Sequence, residues 1–127
     1  MITDGFYEWK KPDKQPYAVA MADDRHMVMA GLWDEWTDKK TGERIKSCTV
    51  ITGPPNGVIG ALHDRMPVIL PEKHWAKWLG EEPATPPELK AMLVPIDDDA
   101  LKVWPVNRQK IGNVRNKEAE VALPEAV

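Results

Sequence analysis

Leu62-His63-Asp64-Arg65-Met66-Pro67-Val68-Ile69-Leu70 sets an imidazole, a carboxylate and a guanidinium side by side, directly before an apolar run. An imidazole gains and loses a proton near neutral pH. A guanidinium can clamp phosphate oxygens through two parallel N–H donors. A second carboxylate, Glu8, stands inside Gly5-Phe6-Tyr7-Glu8-Trp9, and a partly buried carboxylate can position an amine and take its proton. Taken alone, these residues favour plainer roles. Asp64 and Arg65 read as a surface pair with His63 capping a helix C-terminus, and Glu8 as a strand-edge carboxylate paired with Lys10 or Lys11. Thr52 reads almost as well as an ordinary β-branched strand residue.

Elements able to position these groups are legible in the alternation of apolar and polar residues. Phe6 to Trp9 predicts a strand with Tyr7 and Trp9 on one face and Phe6 and Glu8 on the other. Lys10 to Lys14, centred on Pro12-Asp13, predicts a hairpin turn into a return strand over Tyr17–Met21. A third strand is expected over Met27–Trp33, with Gly31 marking a bulge or a close backbone approach. Asp34-Glu35-Trp36 then leaves it, and Asp38–Glu43 forms a polar turn. A fourth strand is expected over Ile45–Thr52, with a buried, inert Cys48. Asn56 can cap a short helix from Gly57 to Leu62, and Met66–Leu70 reads as a short buried strand. Pro71 opens a helix through Leu79 that puts Trp75, Trp78 and Leu79 on one face. Thr85 caps a helix over Glu88–Leu93, Leu101–Val106 is a last strand, and Asn107–Asn116 shows no period. This order is an α+β arrangement, with a curled mixed or antiparallel sheet and helices packed on it.

With 127 residues, 43% hydrophobic and 29% charged, the chain suits one ordinary globular domain. We expect it to occupy 1–118, with a tail over 119–127. No apolar run reaches the length of a membrane helix and no secretion leader is evident, so the cytoplasm is the default compartment, near the nucleoid if the source is bacterial. One cysteine rules out an internal disulfide, and no two histidines have ligand spacing, so no metal or cofactor is expected. His26 and His74 match no motif and read as surface residues. The net charge of −3 gives no global attraction to nucleic acid. Lys102, Arg108, Lys110, Arg115 and Lys117, however, lie in a stretch with no acidic residue. Six tryptophans are many for this length, so some must be core and others are available to line a groove.

Asp4-Gly5-Phe6-Tyr7-Glu8-Trp9, Ala30-Gly31-Leu32-Trp33 and His63 to Leu70 together resemble the SRAP family, the SOS-response-associated peptidases. Trp104-Pro105-Val106-Asn107 and Asn113-Val114-Arg115-Asn116 are similar to that family's closing segment. The resemblance covers Asp4 to about Asn116. It implies a barrel-like α+β fold and a sensor of abasic sites in single-stranded DNA. In the family an N-terminal cysteine, exposed by removal of the initiator methionine, captures the ring-opened aldehyde as a thiazolidine DNA–protein crosslink. The resemblance assigns Glu8 and His63 to assist that chemistry, and Arg65, Thr52 and Arg115 to contact DNA. The peptidase label then reflects autoprocessing, since no Ser/His/Asp arrangement supports general proteolysis.

The family also opens with Met-Cys-Gly-Arg and a long segment ahead of its GFYEW motif, and that portion is not in this sequence. A fragment of a longer protein is therefore the preferred expectation over a natural short form. The chain as given is predicted not to crosslink, because Cys48 has no free α-amine beside it. Unpaired strand edges further predict a homodimer. A rival reading is a non-covalent single-strand binder that uses the Lys102–Lys117 segment for phosphates and exposed tryptophans for stacking.

Overall fold

The alternating residues near the start of the chain build antiparallel ladders that converge on one apolar cluster. A computed structural model describes residues 1–113, 115, 117 and 122–124. Its elements, in order, are β1 (Ile2–Thr3), β2 (Phe6–Lys10), β3 (Gln15–Met21), β4 (Met27–Val28), β5 (Gly31–Thr37), β6 (Arg44–Val50) and β7 (Thr52–Gly53). There follow α1 (Gly57–Gly60), β8 (Met66–Pro67), α2 (Trp75–Trp78), α3 (Pro86–Ala91), β9 (Leu101–Pro105) and α4 (Arg108–Ile111). Single 310 turns at Glu72–His74 and Asp98–Ala100 lead into α2 and β9.

The strands pair as β1–β4, β2–β3–β9, β5–β6 and β7–β8, and each of these pairings is antiparallel. The fold is thus mixed α+β with antiparallel sheets and a few short helices. Among the described residues the sheets are not closed into a barrel. Val68–Leu70 joins them: Ala30 N–H donates to the Val68 carbonyl, Val68 N–H to Ile51, and Leu70 N–H to Val28. Val68, Ile69 and Leu70 are all buried. The expected buried strand therefore exists, but it changes neighbours after Pro67 instead of holding one ladder.

The same stitching divides two other expected strands, Met27–Trp33 and Ile45–Thr52, the latter at Ile51, whose N–H donates to the Ala30 carbonyl and whose carbonyl accepts Val68 N–H. Met27–Trp33 breaks at the fully buried Ala30, whose carbonyl accepts Ile51 N–H while its own N–H serves Val68. Gly31 restarts the chain in β5, where a Cβ would lie 3.1 Å from the Thr49 carbonyl oxygen, the close approach its sequence position implied. Asp34-Glu35-Trp36 does not leave the strand but continues it to Thr37, paired in register with Ile45-Lys46-Ser47. Cys48 is exposed, not buried, because β5 and β6 form a two-stranded ribbon whose residues are mostly solvent-facing. Leu79 lies just beyond α2 and is 70% exposed, whereas Trp75 and Trp78 pack against Ala30, Val68, Leu70 and Met92. Asn107 caps a helical turn, α4, that the sequence pattern did not reveal. The expected tail over 119–127 falls largely outside the described residues, as do Val114 and Asn116 of the closing motif.

Thr85 caps α3 as expected. Its hydroxyl accepts Glu88 N–H at 3.4 Å while the Glu88 carboxylate accepts Thr85 N–H at 2.7 Å. The Thr85 N–H bond, then the Thr85 hydroxyl, then the Lys77 charge hold the Glu88 carboxyl below its ordinary value of 4.5. Because the folded value is depressed, the stabilisation is fully present above 4.5 and is lost as pH falls through the lower, folded value. In Thr85→Ala the Glu88 titration, followed by NMR, should move back up toward 4.5. An unmoved titration would remove the Thr85 hydroxyl as a cause and leave the Thr85 N–H and the Lys77 charge.

Candidate functional site

Asn56 fixes the approach to the His63 segment. Its Oδ1 accepts Ile59 N–H at 2.9 Å, capping α1, and its Nδ2 donates to the Ile96 carbonyl at 3.1 Å. His63 N–H donates to the Ile59 carbonyl, so the helix end sets the backbone at His63. Leu62 and Met66, which bracket the three polar residues, are both buried in the main cluster with Val19, Met27, Ile59 and Ile69. A five-residue segment with both ends packed in the core has little freedom to reorient.

His63 Nδ1 lies 3.1 Å from the Arg65 backbone N–H, 3.1 Å from the Arg65 carbonyl oxygen and 3.2 Å from Asp64 Oδ1. In the neutral ring Nδ1 can accept the N–H, which puts the remaining ring proton on Nε2. In the protonated ring Nδ1–H can donate to the Asp64 carboxylate or to the carbonyl. The nitrogen thus has a compatible neighbour in either state, a useful property for a group that exchanges a proton. Asp64 is mostly exposed and His63 partly so. The surface Asp64–Arg65 pair, the plainer alternative from sequence, is not formed among the described contacts: Asp64 turns to His63 and Arg65 turns elsewhere.

Arg65 turns to Thr52. Its Nε donates to Thr52 Oγ1 at 3.1 Å, and its Nη2 donates to Thr52 Oγ1 and to the Thr52 carbonyl oxygen, each at 2.8 Å. The antiparallel register Thr52↔Pro67 and Gly53↔Met66 makes this possible, because it sets Thr52 opposite Pro67, two residues along from Arg65 and on the same face, a diagonal that a long side chain spans. The structure therefore joins Thr52, His63 and Arg65.

Glu8 stands on another sheet. On β2 it lies on the face of Phe6 and opposite Tyr17 of β3. Phe6 and Tyr17 both pack on the cluster that contains Leu62 and Met66. Glu8 is half-buried, and its carboxylate accepts Trp9 N–H at 3.1 Å. Among the described residues it pairs with neither Lys10 nor Lys11, so the strand-edge ion pair is not formed. It also has no hydrogen bond to His63 or Arg65 there; the link between them is the shared core.

Arg115 is exposed, with its backbone N–H on Asn113 Oδ1 at 3.1 Å, and no described contact joins it to Arg65. Two other members of the basic stretch are engaged within the protein. Lys102 pairs with Asp24 and lies 5.7 Å from the Trp104 ring centroid, while Arg108 donates to the Asp13 carbonyl. The expectation for surface histidines holds for His26, an exposed residue beside Asp4. A cavity of about 550 Å³ lies between Ile2, Leu32, Trp33, Trp78 and Leu79, with His26 and Cys48 also in its wall. Its wall is mostly apolar and includes none of Glu8, Thr52, His63, Arg65 or Arg115. Sequence reasoning did not foresee the Asn56 bond to Ile96, since the cap signal covers only its bond within α1. No helix among the described residues is long and apolar enough to cross a membrane.

Comparison with known proteins places this geometry in context. The family profile described as SOS response associated peptidase (SRAP) matches residues 1–114. The chain is 34% identical over 121 residues to the abasic site processing protein YoaM of Bacillus subtilis (strain 168), which covers 93% of this chain and 52% of that protein. It is 34% identical over 142 residues to the abasic site processing protein HMCES of Xenopus tropicalis, covering 94% of this chain and 41% of that one. A crystal structure of a protein from Bacteroides thetaiotaomicron superposes with a TM-score of 0.89 at 25% identity, over 99% of this chain and 56% of that chain. The chain thus spans about half the length of the curated relatives it matches.

Proposed function

The chain belongs to the SOS response associated peptidase (SRAP) family, and on that premise we propose that it takes part in processing abasic sites in single-stranded DNA. The observation that carries this reading is the rigidly backed cluster of Thr52, His63 and Arg65 in a chain whose relatives are named abasic site processing proteins. An abasic deoxyribose interconverts between a ring hemiacetal and an open aldehyde. Each direction moves a proton to or from oxygen. His63 serves as the proton carrier and Glu8 as the carboxylate that orients or deprotonates an attacking amine. Arg65 meets the DNA backbone and Arg115 belongs to the same DNA-contacting group, while Thr52 stands beside Arg65 in the same site.

Covalent capture as a thiazolidine needs an α-amine and a thiol on one residue. In the chain as given, residue 1 is methionine and Cys48 lies within β6. These residues alone are therefore expected to form no DNA–protein crosslink, and the covalent step, with its autoproteolytic preparation, belongs to a chain that supplies an N-terminal cysteine. Incubation with an abasic single-stranded oligonucleotide followed by a denaturing gel tests this. A shifted covalent band would contradict it.

A non-covalent single-strand binder is the second reading, favoured by the large exposed faces of Trp9, Trp33 and Trp36 and their capacity to stack on bases. Stacking alone tolerates salt far better than phosphate contact does. The Arg65 reading expects affinity to fall as salt rises, and a flat salt profile would favour the tryptophans. The edges of β5 and β6, unpaired among the described residues, and the apolar cavity beside them also make a homodimer the expected state at high concentration. Light scattering that shows only monomer would end that proposal.

A further inference from the structure

Thr52 and Arg65 form a unit whose internal geometry deepens the reading above and rests on it. A guanidinium has five N–H donors. In this structure the side carrying Nε and Nη2 is taken up by Thr52, through its hydroxyl oxygen at 3.1 and 2.8 Å and its carbonyl oxygen at 2.8 Å. Those contacts leave the Nη1 end to face a ligand. The Thr52 hydroxyl, with Arg65 donating to it twice, is itself occupied as an acceptor.

We infer that Thr52 is a positioning residue: it holds the plane of the Arg65 guanidinium so that Nη1 presents its donors to a DNA phosphate, and it acts on DNA through Arg65, not by direct contact. The backing is rigid for a surface group. The Thr52 carbonyl belongs to β7, which is paired to β8, and Met66 of β8 is buried in the main cluster. An arginine left free on the surface would have to lose its side-chain rotamer freedom on binding, whereas one already held has less to lose.

A double-mutant cycle separates positioning from direct contact. The probe is a single-stranded oligonucleotide carrying one stable tetrahydrofuran analogue of the abasic site. Thr52→Val keeps the shape of the side chain and removes the hydroxyl. It should weaken binding about fivefold, the size of a typical net hydrogen bond, and lower the magnitude of the salt slope by up to about 0.7, one single-strand phosphate. Thr52→Ser should restore both. The Arg65 Nε–H NMR resonance should move in Thr52→Val and return in Thr52→Ser. In an Arg65→Ala background Thr52→Val should have no further effect. A Thr52→Val loss that persists in that background would mean direct contact and overturns the inference. If Arg65→Ala itself left binding unchanged, the DNA-contact reading of Arg65 would fall instead, and the two failures are therefore distinct.

Discussion

Arg65→Ala should weaken binding of abasic single-stranded DNA about tenfold and flatten its salt dependence by about one phosphate's worth, as loss of one phosphate-directed cation does. The effect should be much the same across oligonucleotide sequences, because a phosphate contact carries no base information. Arg65 is exposed, and its removal strands only the oxygens of Thr52, themselves exposed to water. Thermal stability should therefore change little, and the binding loss can be assigned to the contact rather than to unfolding. Arg65→Lys should recover only part of the affinity. An ammonium can face Thr52 or a phosphate as a point charge, but it cannot bridge both with the fixed angles of a planar fork. Fluorescence anisotropy at several salt concentrations reads both quantities at once. An Arg65→Ala protein with unaltered affinity and slope would exclude this residue from the DNA-contacting surface.

Asn56→Ala should cost about 3 kcal/mol of folding stability, counting a lost N-cap of up to about 2 kcal/mol and a stranded acceptor worth about 1–3 kcal/mol. Asn56 is the one buried polar side chain among the described residues, and it serves two segments. Oδ1 caps α1 while Nδ2 holds the Ile96 carbonyl. Asn56→Asp separates the two contributions. It retains an oxygen for the cap but cannot donate to Ile96 when ionised, so its loss should be intermediate. Because His63 N–H hangs on the Ile59 carbonyl at the end of the same helix, Asn56→Ala should also disturb the backbone resonances from Ala61 to Arg65. Urea unfolding and amide NMR measure these outcomes. A stability change below 1 kcal/mol would show that water replaces both bonds.

How far the sequence carried the account differs from element to element, for physical reasons. The hairpin of β2 and β3, the cap at Asn56 and the capping box at Thr85 depend on residues adjacent in sequence, and those signals were readable. The family resemblance was readable for the same reason, since GFYEW and HDRMPVIL are contiguous. The extension of β5 through Asp34-Glu35-Trp36 was not. A two-stranded ribbon open to water on both faces has no apolar alternation to report it, and the same openness leaves Cys48 in solvent where its mid-strand position predicts burial. The break at Ala30 was equally hidden, since it is set by the partners Val68 and Ile51, distant in sequence. The engagement of Arg65 with Thr52 rather than with its neighbour Asp64 follows from the register of β7 and β8, which no local pattern encodes. The side of β2 that carries Glu8 was legible from the period of two. That this side meets the cluster under His63 required the tertiary structure.

The most direct test of the account is a paired affinity measurement at one fixed salt concentration, with single-stranded oligonucleotides identical except for one site that is either an intact nucleotide or a natural abasic deoxyribose. The abasic sugar carries a hemiacetal hydroxyl where an intact nucleotide carries its base, and Glu8 and His63 are the groups assigned to address it. The abasic strand should bind more tightly, with the preference abolished in Glu8→Gln or His63→Ala while general affinity for single strands remains. Equal affinity for the two strands would contradict abasic-site recognition by these residues and leave the chain a general single-strand binder at most.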